Sequence, residues 1–161
     1  MTATPISAVA PAVPPLAASR RTPRILITVV GVLTPLLTLV ADTNRTHLFN
    51  PDWTLHSRFH AALWVGANVL AGAGALYLVW GRHRERDSWL ALRAAAFMLW
   101  MIWVPFFPAL LMPDTSAWPD GAPRFLFVSP QVIIAGIFVG LCALAVRLDG
   151  RTRTAEAPRA G

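Results

Sequence analysis

Four apolar stretches, separated by short polar segments, make up most of this chain. They cover residues 25–41, 59–80, 89–112 and 125–146. Each is close to the ~20 residues with which an α-helix crosses the hydrocarbon core of a bilayer. Asn50 and Pro51 favour an early start for the second helix, because asparagine caps helix N-termini and proline suits the first helical position. We predict an all-α, four-helix transmembrane bundle with helices at about 25–41, 51–80, 88–112 and 125–147.

Composition supports lipid as the surrounding solvent. The chain has 161 residues, of which 55% are hydrophobic and 14% are charged, whereas soluble domains carry about 25% charged residues. The segments outside the helical domain differ from it in composition. Residues 1–24 form an Ala/Pro-rich stretch that we expect to be a disordered tail, and residues 148–161 form a basic tail. The transmembrane domain is therefore expected at 25–147.

The basic residues predict the orientation of the bundle. All fourteen are arginines, and in membrane proteins arginine and lysine concentrate in cytoplasmic loops. Ten lie on one side of a four-span topology: Arg20, Arg21, Arg24, Arg82, Arg84, Arg86, Arg147, Arg151, Arg153 and Arg159. Three lie on the other: Arg45, Arg58 and Arg124. The fourteenth, Arg93, lies inside the third apolar stretch and is left out of this comparison. We expect both termini in the cytoplasm of a multi-pass protein of the cell membrane. Arginines at the ends of apolar stretches do not form a phosphate-binding face, so we expect no nucleic-acid partner.

Histidines gather in and beside the segment between the first two predicted helices. With a helix beginning at Pro51, the residues Asp52, His56 and His60 follow one another at i+4 spacing and share one helical face. Imidazoles exchange protons near neutral pH, and a carboxylate that bonds one ring nitrogen sets which nitrogen carries the proton. We interpret His56 and His60 as catalytic proton carriers, with Asp52 orienting His56.

Further polar and aromatic side chains are expected around the same pocket, which we place at the outer-leaflet end of the bundle. Polar residues at bilayer depth face the bundle interior or a wet cavity. The expected substrate-binding residues are His47, Asp42, Asn68, Gln131, Trp64 and Trp100. The ligand is expected to be a lipophilic small molecule that enters from the surrounding membrane lipid. The alternative is structural: these groups cap helices, pair with Arg45 and Arg58, and order the loop.

A metal site is a less favoured interpretation of the same histidines. His56 and His60 form a His-x-x-x-His pair that could bind zinc with a third ligand from Asp42, His47 or Asp52. No glutamate lies between the two histidines, as it does in the zinc protease motif. We therefore expect no metal and no cofactor.

Two features of the later helices concern packing. Gly136 and Gly140 form a small-residue motif of the kind that allows close helix contact. We expect this contact within the bundle, with a homodimer as the alternative. Pro105 and Pro108 predict a kink in the third helix.

The segment NRTHLFNPDW at 44–53, followed by HSRFH at 56–60, resembles a signature of small four-helix membrane proteins of bacteria and fungi that have no assigned activity. The resemblance covers residues 25–112 and implies the same bundle. Its relatives carry prolines where this chain has Thr54 and Leu55, so the start of the second helix can differ. The chain is more faintly similar to the emopamil-binding, sterol-isomerase type of bundle, which implies proton transfer on a lipophilic substrate. No aspartate or glutamate lies deep in a predicted helix here, and this departure argues against carbocation-type isomerase chemistry.

Three classes of function fit these observations. We favour a membrane enzyme of isomerase or cyclase type that uses histidine acid–base chemistry. A component that binds or transports an ion, a metal or a lipid is the second class, and a structural anchor subunit is the third. The inner half of the predicted bundle offers few polar groups, which weakens the transport interpretation.

Overall fold

The structure, a computed structural model, describes residues 18–81, 88–118 and 127–156. The described residues form helices and no strand: α1 Ala18–Asp42, α2 Leu55–Trp80, α3 Ser88–Trp103, α4 Phe106–Ala109 and α5 Pro130–Glu156. Helices α3 and α4 together make one of four segments that are long and apolar enough to cross a membrane. The predicted all-α, four-helix fold is confirmed, and it indicates a multi-pass membrane protein.

The four long helices pack as a ring in the order α1, α2, α3, α5, and α1 also touches α3 across the ring. Small side chains occupy the contacts, which lets the helices approach without a large apolar core. Buried alanines at the centre include Ala75 of α2, Ala95 of α3, and Ala135 and Ala145 of α5. Many large apolar side chains point outward instead, such as Leu70 at 72% exposed, as expected for helices that face lipid.

The third span is broken near its end. Helix α3 stops at Trp103 and the short α4 begins at Phe106. Pro105 lies between them and has no backbone N–H to continue the hydrogen-bond ladder. The helix is therefore interrupted where the kink was predicted, and Phe106, just beyond the interruption, lines a cavity with residues from the first turns of α2 and α5.

Helix α2 begins at Leu55, not at Pro51. Asn50 does not cap it, because Asn50 Oδ1 accepts the backbone N–H of Asp52 at 2.9 Å and forms a local turn. Thr54 is the cap instead, and its hydroxyl accepts the N–H of Ser57 at 3.1 Å. Asp52 thus precedes the helix, and the predicted face of Asp52, His56 and His60 is wrong in its first member.

Helix α5 also starts later and ends later than expected. Residues 127–129 precede it, and Pro130 occupies the first helical position, where a missing N–H is harmless. The helix then continues to Glu156 into the segment expected to be a tail. Likewise α1 begins at Ala18, ahead of Ile25.

Gly136 and Gly140 do not mediate contact within the bundle. Both are exposed, and a Cβ added at either would meet nothing within 4 Å. The close helix contact lies elsewhere, at Gly72 of α2, where an added Cβ would lie 2.5 Å from the carbonyl oxygen of Gly31 in α1. The expected contact within the bundle is wrong because α5 turns these glycines outward.

The C-terminus of α1 and the N-termini of α2 and α5 meet at one end of the bundle, which we call the site end, because one cavity is lined from all three. The ends at Ala18 and Glu156 therefore lie at the opposite end. Several expectations fall outside the described residues: the N-terminal tail at 1–17, the arginines at 82–87, the loop 119–126 and the last residues 157–161.

Candidate functional site

A cavity of about 580 Å³ opens at the site end. Its walls come from the end of α1, the loop 43–54, the first turns of α2, α4 and the start of α5. The lining residues are Asp42, His47, Trp53, Ser57, His60, Ala61, Trp64, Phe106 and Gln131. Aromatic side chains with a few convergent polar groups are typical of small-molecule sites, which range over ~300–1,000 Å³.

Asn44 anchors the loop that carries His47. Its side-chain amide donates to the carbonyl of Ala41 at 2.6 Å, which satisfies an orphan carbonyl at the end of α1. Its Oδ1 accepts from the backbone N–H of Thr46 at 2.8 Å and from the Thr46 hydroxyl at 2.6 Å. These contacts of a single amide hold the loop against α1.

This network determines which nitrogen of His47 carries a proton. The Thr46 hydroxyl has one hydrogen, and it is given to Asn44 Oδ1. Thr46 Oγ1 also lies 2.8 Å from His47 Nδ1, so here it must accept and Nδ1 must be protonated. In the neutral ring the basic nitrogen is then Nε2, which faces Asp42.

Asp42 and His47 form a carboxylate–imidazole pair. His47 Nε2 lies 3.9 Å from Asp42 Oδ1, and the side chains of His47 and Asp42 are 33% and 17% exposed, respectively. Trp64 lines the same cavity as this pair. Asp42 ends α1, where the negative end of the helix dipole disfavours a carboxylate. The pair becomes an ion pair only when His47 Nε2 is also protonated.

The pocket face of α2 differs from the predicted one. It comprises Ser57, His60, Ala61 and Trp64, at the i, i+3, i+4 and i+7 positions of one helical stripe. His60 is shared with the predicted face. His56 lies off this stripe, and its ring contacts His60 with the two Nε2 atoms 3.0 Å apart.

Among the predicted site residues, the cavity brings together Asp42, His47, His60, Trp64 and Gln131. Asn68 is instead fully buried below the cavity, where its amide donates to the Trp64 carbonyl at 2.8 Å and its Oδ1 has no partner. Trp100 lies in a separate groove of α3 with Phe97 and Met101, and its indole donates to the Val139 carbonyl at 3.1 Å.

Asp52 lies in a second, more polar cavity of about 790 Å³ on the outside of the loop. Besides Asp52 it is lined by Arg45, Thr46, Asn50 and Asp114, together with residues of the α4–α5 connection. His47 and Trp53 line both cavities, and their rings pack edge to face with centroids 5.8 Å apart. These two side chains form the wall between the polar cavity and the aromatic one.

Sequence reasoning missed four lining residues: Trp53, Ser57, Ala61 and Phe106. Trp53 belongs to the quoted motif, so its position beside the histidines was an available signal. Ser57 follows from the helix stripe once Thr54 is recognised as the cap. Phe106 had no local signal, because it enters the site through the break at Pro105. Its ring packs on Trp64 and Trp103, with centroids 6.2 and 5.3 Å apart.

Within the described residues, no group of three or more His, Cys, Asp or Glu side chains is arranged to hold a metal ion. A third zinc ligand for the His56–His60 pair is therefore not provided by Asp42, His47 or Asp52.

Comparison with known proteins gives one result. No curated protein and no solved structure matches the chain. The similarity to the sterol-isomerase type of bundle is thus not shown. A family described as "family of unknown function (DUF6640)" matches residues 26–159. This range contains the site residues and, except for Ile25, all four apolar segments, and the chain belongs to that family.

Proposed function

We propose that this protein binds a lipophilic small molecule in the cavity at the site end and moves a proton on it. His47 Nε2 is the base, and Asp42 is its partner. The observation that carries the proposal is the convergence of Asp42, His47, His60 and Gln131 from four separate segments on one aromatic-lined cavity.

The cavity suits an apolar ligand with a small polar group. Trp53, Trp64 and Phe106 provide apolar walls, and Asp42, His47, Ser57, His60 and Gln131 provide the polar groups. The cavity is open to the outside of the protein, and the proposal requires that opening to be reachable from the membrane. In a mostly aromatic site the apolar walls provide most of the affinity for the ligand, and the few polar groups fix its orientation.

The hydrogen-bond network supplies a prepared base. The chain of contacts from Asn44 through Thr46 to His47 leaves Nε2 as the proton acceptor. Nε2 takes a proton from a C–H bond next to an electron-withdrawing group, and the resulting imidazolium is stabilised by Asp42. Return of that proton to a different carbon completes an isomerisation, which needs no oxidant, reductant or second substrate.

A transport function is less well supported. Below the cavity the bundle is filled by side chains that bond one another, since Trp103 donates to Thr34 at 2.9 Å and both are buried. Asn68 is also enclosed there. Among the described residues, the interior below the cavity is therefore filled by packed side chains, and no continuous polar path for a transported ion leads through it.

Deuterium exchange tests the proposal even though the substrate is unidentified. The purified protein is incubated in D2O with a lipid extract of its host's membranes, and mass spectrometry follows deuterium in each lipophilic species. We expect one species to gain deuterium or to be converted to an isomer. Asp42→Asn and His47→Gln should each slow this by roughly 10²-fold or more, the usual contribution of an acid–base group.

Gly136→Ala is the matched control, because its position is open and it does not line the cavity. It should exchange at the wild-type rate. If no species exchanges faster with wild type than with the Asp42→Asn/His47→Gln double variant, proton transfer is excluded and the structural anchor interpretation gains.

A further inference from the structure

His56 and His60 form a second group of imidazoles at the site end, separate from the Asp42–His47 pair. They are one turn apart on α2, both are exposed, and their Nε2 atoms lie 3.0 Å from each other. The ring planes are nearly perpendicular, at 86°, with centroids 4.5 Å apart. Centroids 4.5 Å apart are closer together than they would be if two rings with nitrogens 3.0 Å apart met head-on, so the rings converge at an angle.

This spacing is that of two ligands on one metal ion. Zinc binds imidazole nitrogen at ~2.0–2.1 Å, so two such nitrogens at right-angled or tetrahedral positions lie about 2.9–3.4 Å apart. The same distance also fits an N–H···N hydrogen bond between two neutral imidazoles, in which one ring donates and the other accepts. A divalent cation satisfies both nitrogen lone pairs at once, and a proton can bond to only one of them covalently.

We propose that His56 and His60 bind a divalent transition metal of the zinc and copper class through their Nε2 atoms. Imidazole nitrogen favours these ions over magnesium and calcium, which prefer oxygen ligands. With two protein ligands among the described residues, the remaining coordination positions are left to water or to a polar atom of a ligand. His60 also lines the cavity, so the metal would stand at its edge.

The experiment uses the full chain in detergent micelles, prepared without a polyhistidine tag, and Cu²⁺ as the probe. Calorimetry measures binding, and electron paramagnetic resonance reports nitrogen ligands through their hyperfine splitting. We expect one Cu²⁺ per chain with two coordinated nitrogens, competed by Zn²⁺ and not by Mg²⁺. His56→Gln and His60→Gln should each weaken binding by at least tenfold, since each removes one of two ligands.

His47→Gln is the matched control, because it removes another imidazole from the same end of the bundle and should leave Cu²⁺ binding unchanged. The proposal is overturned if wild type binds no Cu²⁺, if binding persists in the His56→Gln/His60→Gln double variant, or if His47→Gln abolishes it. Circular dichroism of each variant separates loss of a ligand from loss of fold. The experiment measures metal binding alone, so absence of Cu²⁺ binding would not contradict the proton-transfer proposal. Absence of deuterium exchange would likewise not contradict the metal proposal.

Discussion

The carbonyl oxygen of Gly31 in α1 faces Gly72 in α2 so closely that any side chain at Gly72 would collide with it. An added Cβ would lie 2.5 Å from that oxygen and 2.8 Å from Cδ of Pro35. Pro35 lacks the N–H that would bond Gly31, four residues earlier in the helix. The Gly31 carbonyl therefore has no helical N–H donor from Pro35, and it is this carbonyl that Gly72 approaches. The close contact between α1 and α2 requires a glycine at position 72.

Gly72→Ala should destabilise the bundle. The neighbours at Gly72 are backbone and a proline ring, which cannot move aside as a flexible side chain would, and overpacking costs about 1–3 kcal/mol. Unfolding in mixed detergent, followed by circular dichroism, measures the change. Gly136→Ala is the control, and it should be neutral or slightly stabilising because alanine favours helix and the position is open. Equal stability of the two variants would contradict the close contact.

Trp103 and Thr34 should show coupled contributions to stability. The indole of Trp103 donates to Thr34 Oγ1 at 2.9 Å, and the Thr34 hydroxyl in turn donates to the Val30 carbonyl at 2.8 Å. Thr34→Val leaves a buried indole N–H unpaired and should cost about 1–3 kcal/mol. Trp103→Phe removes the donor as well, so the double variant should lose less than the sum of the two single losses. A strictly additive double-mutant cycle would show that this hydrogen bond does not form.

Thr46→Val should impair proton transfer without disturbing the fold. The variant keeps the shape of the side chain but removes the acceptor that holds the Nδ1 proton of His47. We expect the exchange rate to fall by roughly tenfold, part of the ~10²–10⁴ that a positioned base contributes. Nitrogen NMR of labelled histidine should also show a mixed tautomer in place of the Nδ1-protonated form.

Thr43→Val is the control for this change, because Thr43 lies in the same loop and its hydroxyl bonds the Leu39 carbonyl instead of His47. It should keep both the wild-type rate and the wild-type tautomer. A single tautomer retained in Thr46→Val would show that Thr46 does not orient the ring.

Both termini should lie in the cytoplasm. The helix ends at Ala18 and Glu156 share the end of the bundle opposite the site, and most arginines flank that end in the sequence. Reporter enzymes fused to either terminus, one active only inside and one only outside the cell, measure this directly. If the reporter that works only outside the cell is active when fused at Gly161, the C-terminus is extracytoplasmic and the prediction is contradicted. The cavity, at the opposite end of the bundle, would then lie at the cytoplasmic face.

The apolar pattern of the sequence was sufficient to predict the number of spans and the all-helical fold. Each stretch must bury its backbone polar groups in its own hydrogen bonds when the solvent is lipid, and only helices of that length do so. The histidines between the first two stretches, rather than the apolar pattern, led to a candidate site at that end of the bundle, and its chemistry stays a prediction. The number of spans and the helical fold depend on local sequence and on the solvent, and the way in which the helices pack does not alter them.

Tertiary structure alone determined which residues of that region meet. Asn50 and Thr54 are both acceptable N-caps, but the Asn50 side chain forms a local turn instead, so α2 begins after Thr54. Asp52 therefore lies before the helix and not on the face of His56. The carboxylate that does lie beside a histidine is that of Asp42. Helix rotation placed Gly72 inward and Gly136 outward, although both are glycines in apolar helices. When two helix rotations or two N-cap residues are nearly equal in free energy, local sequence propensity does not decide between them. The packing of neighbouring helices then selects one of them.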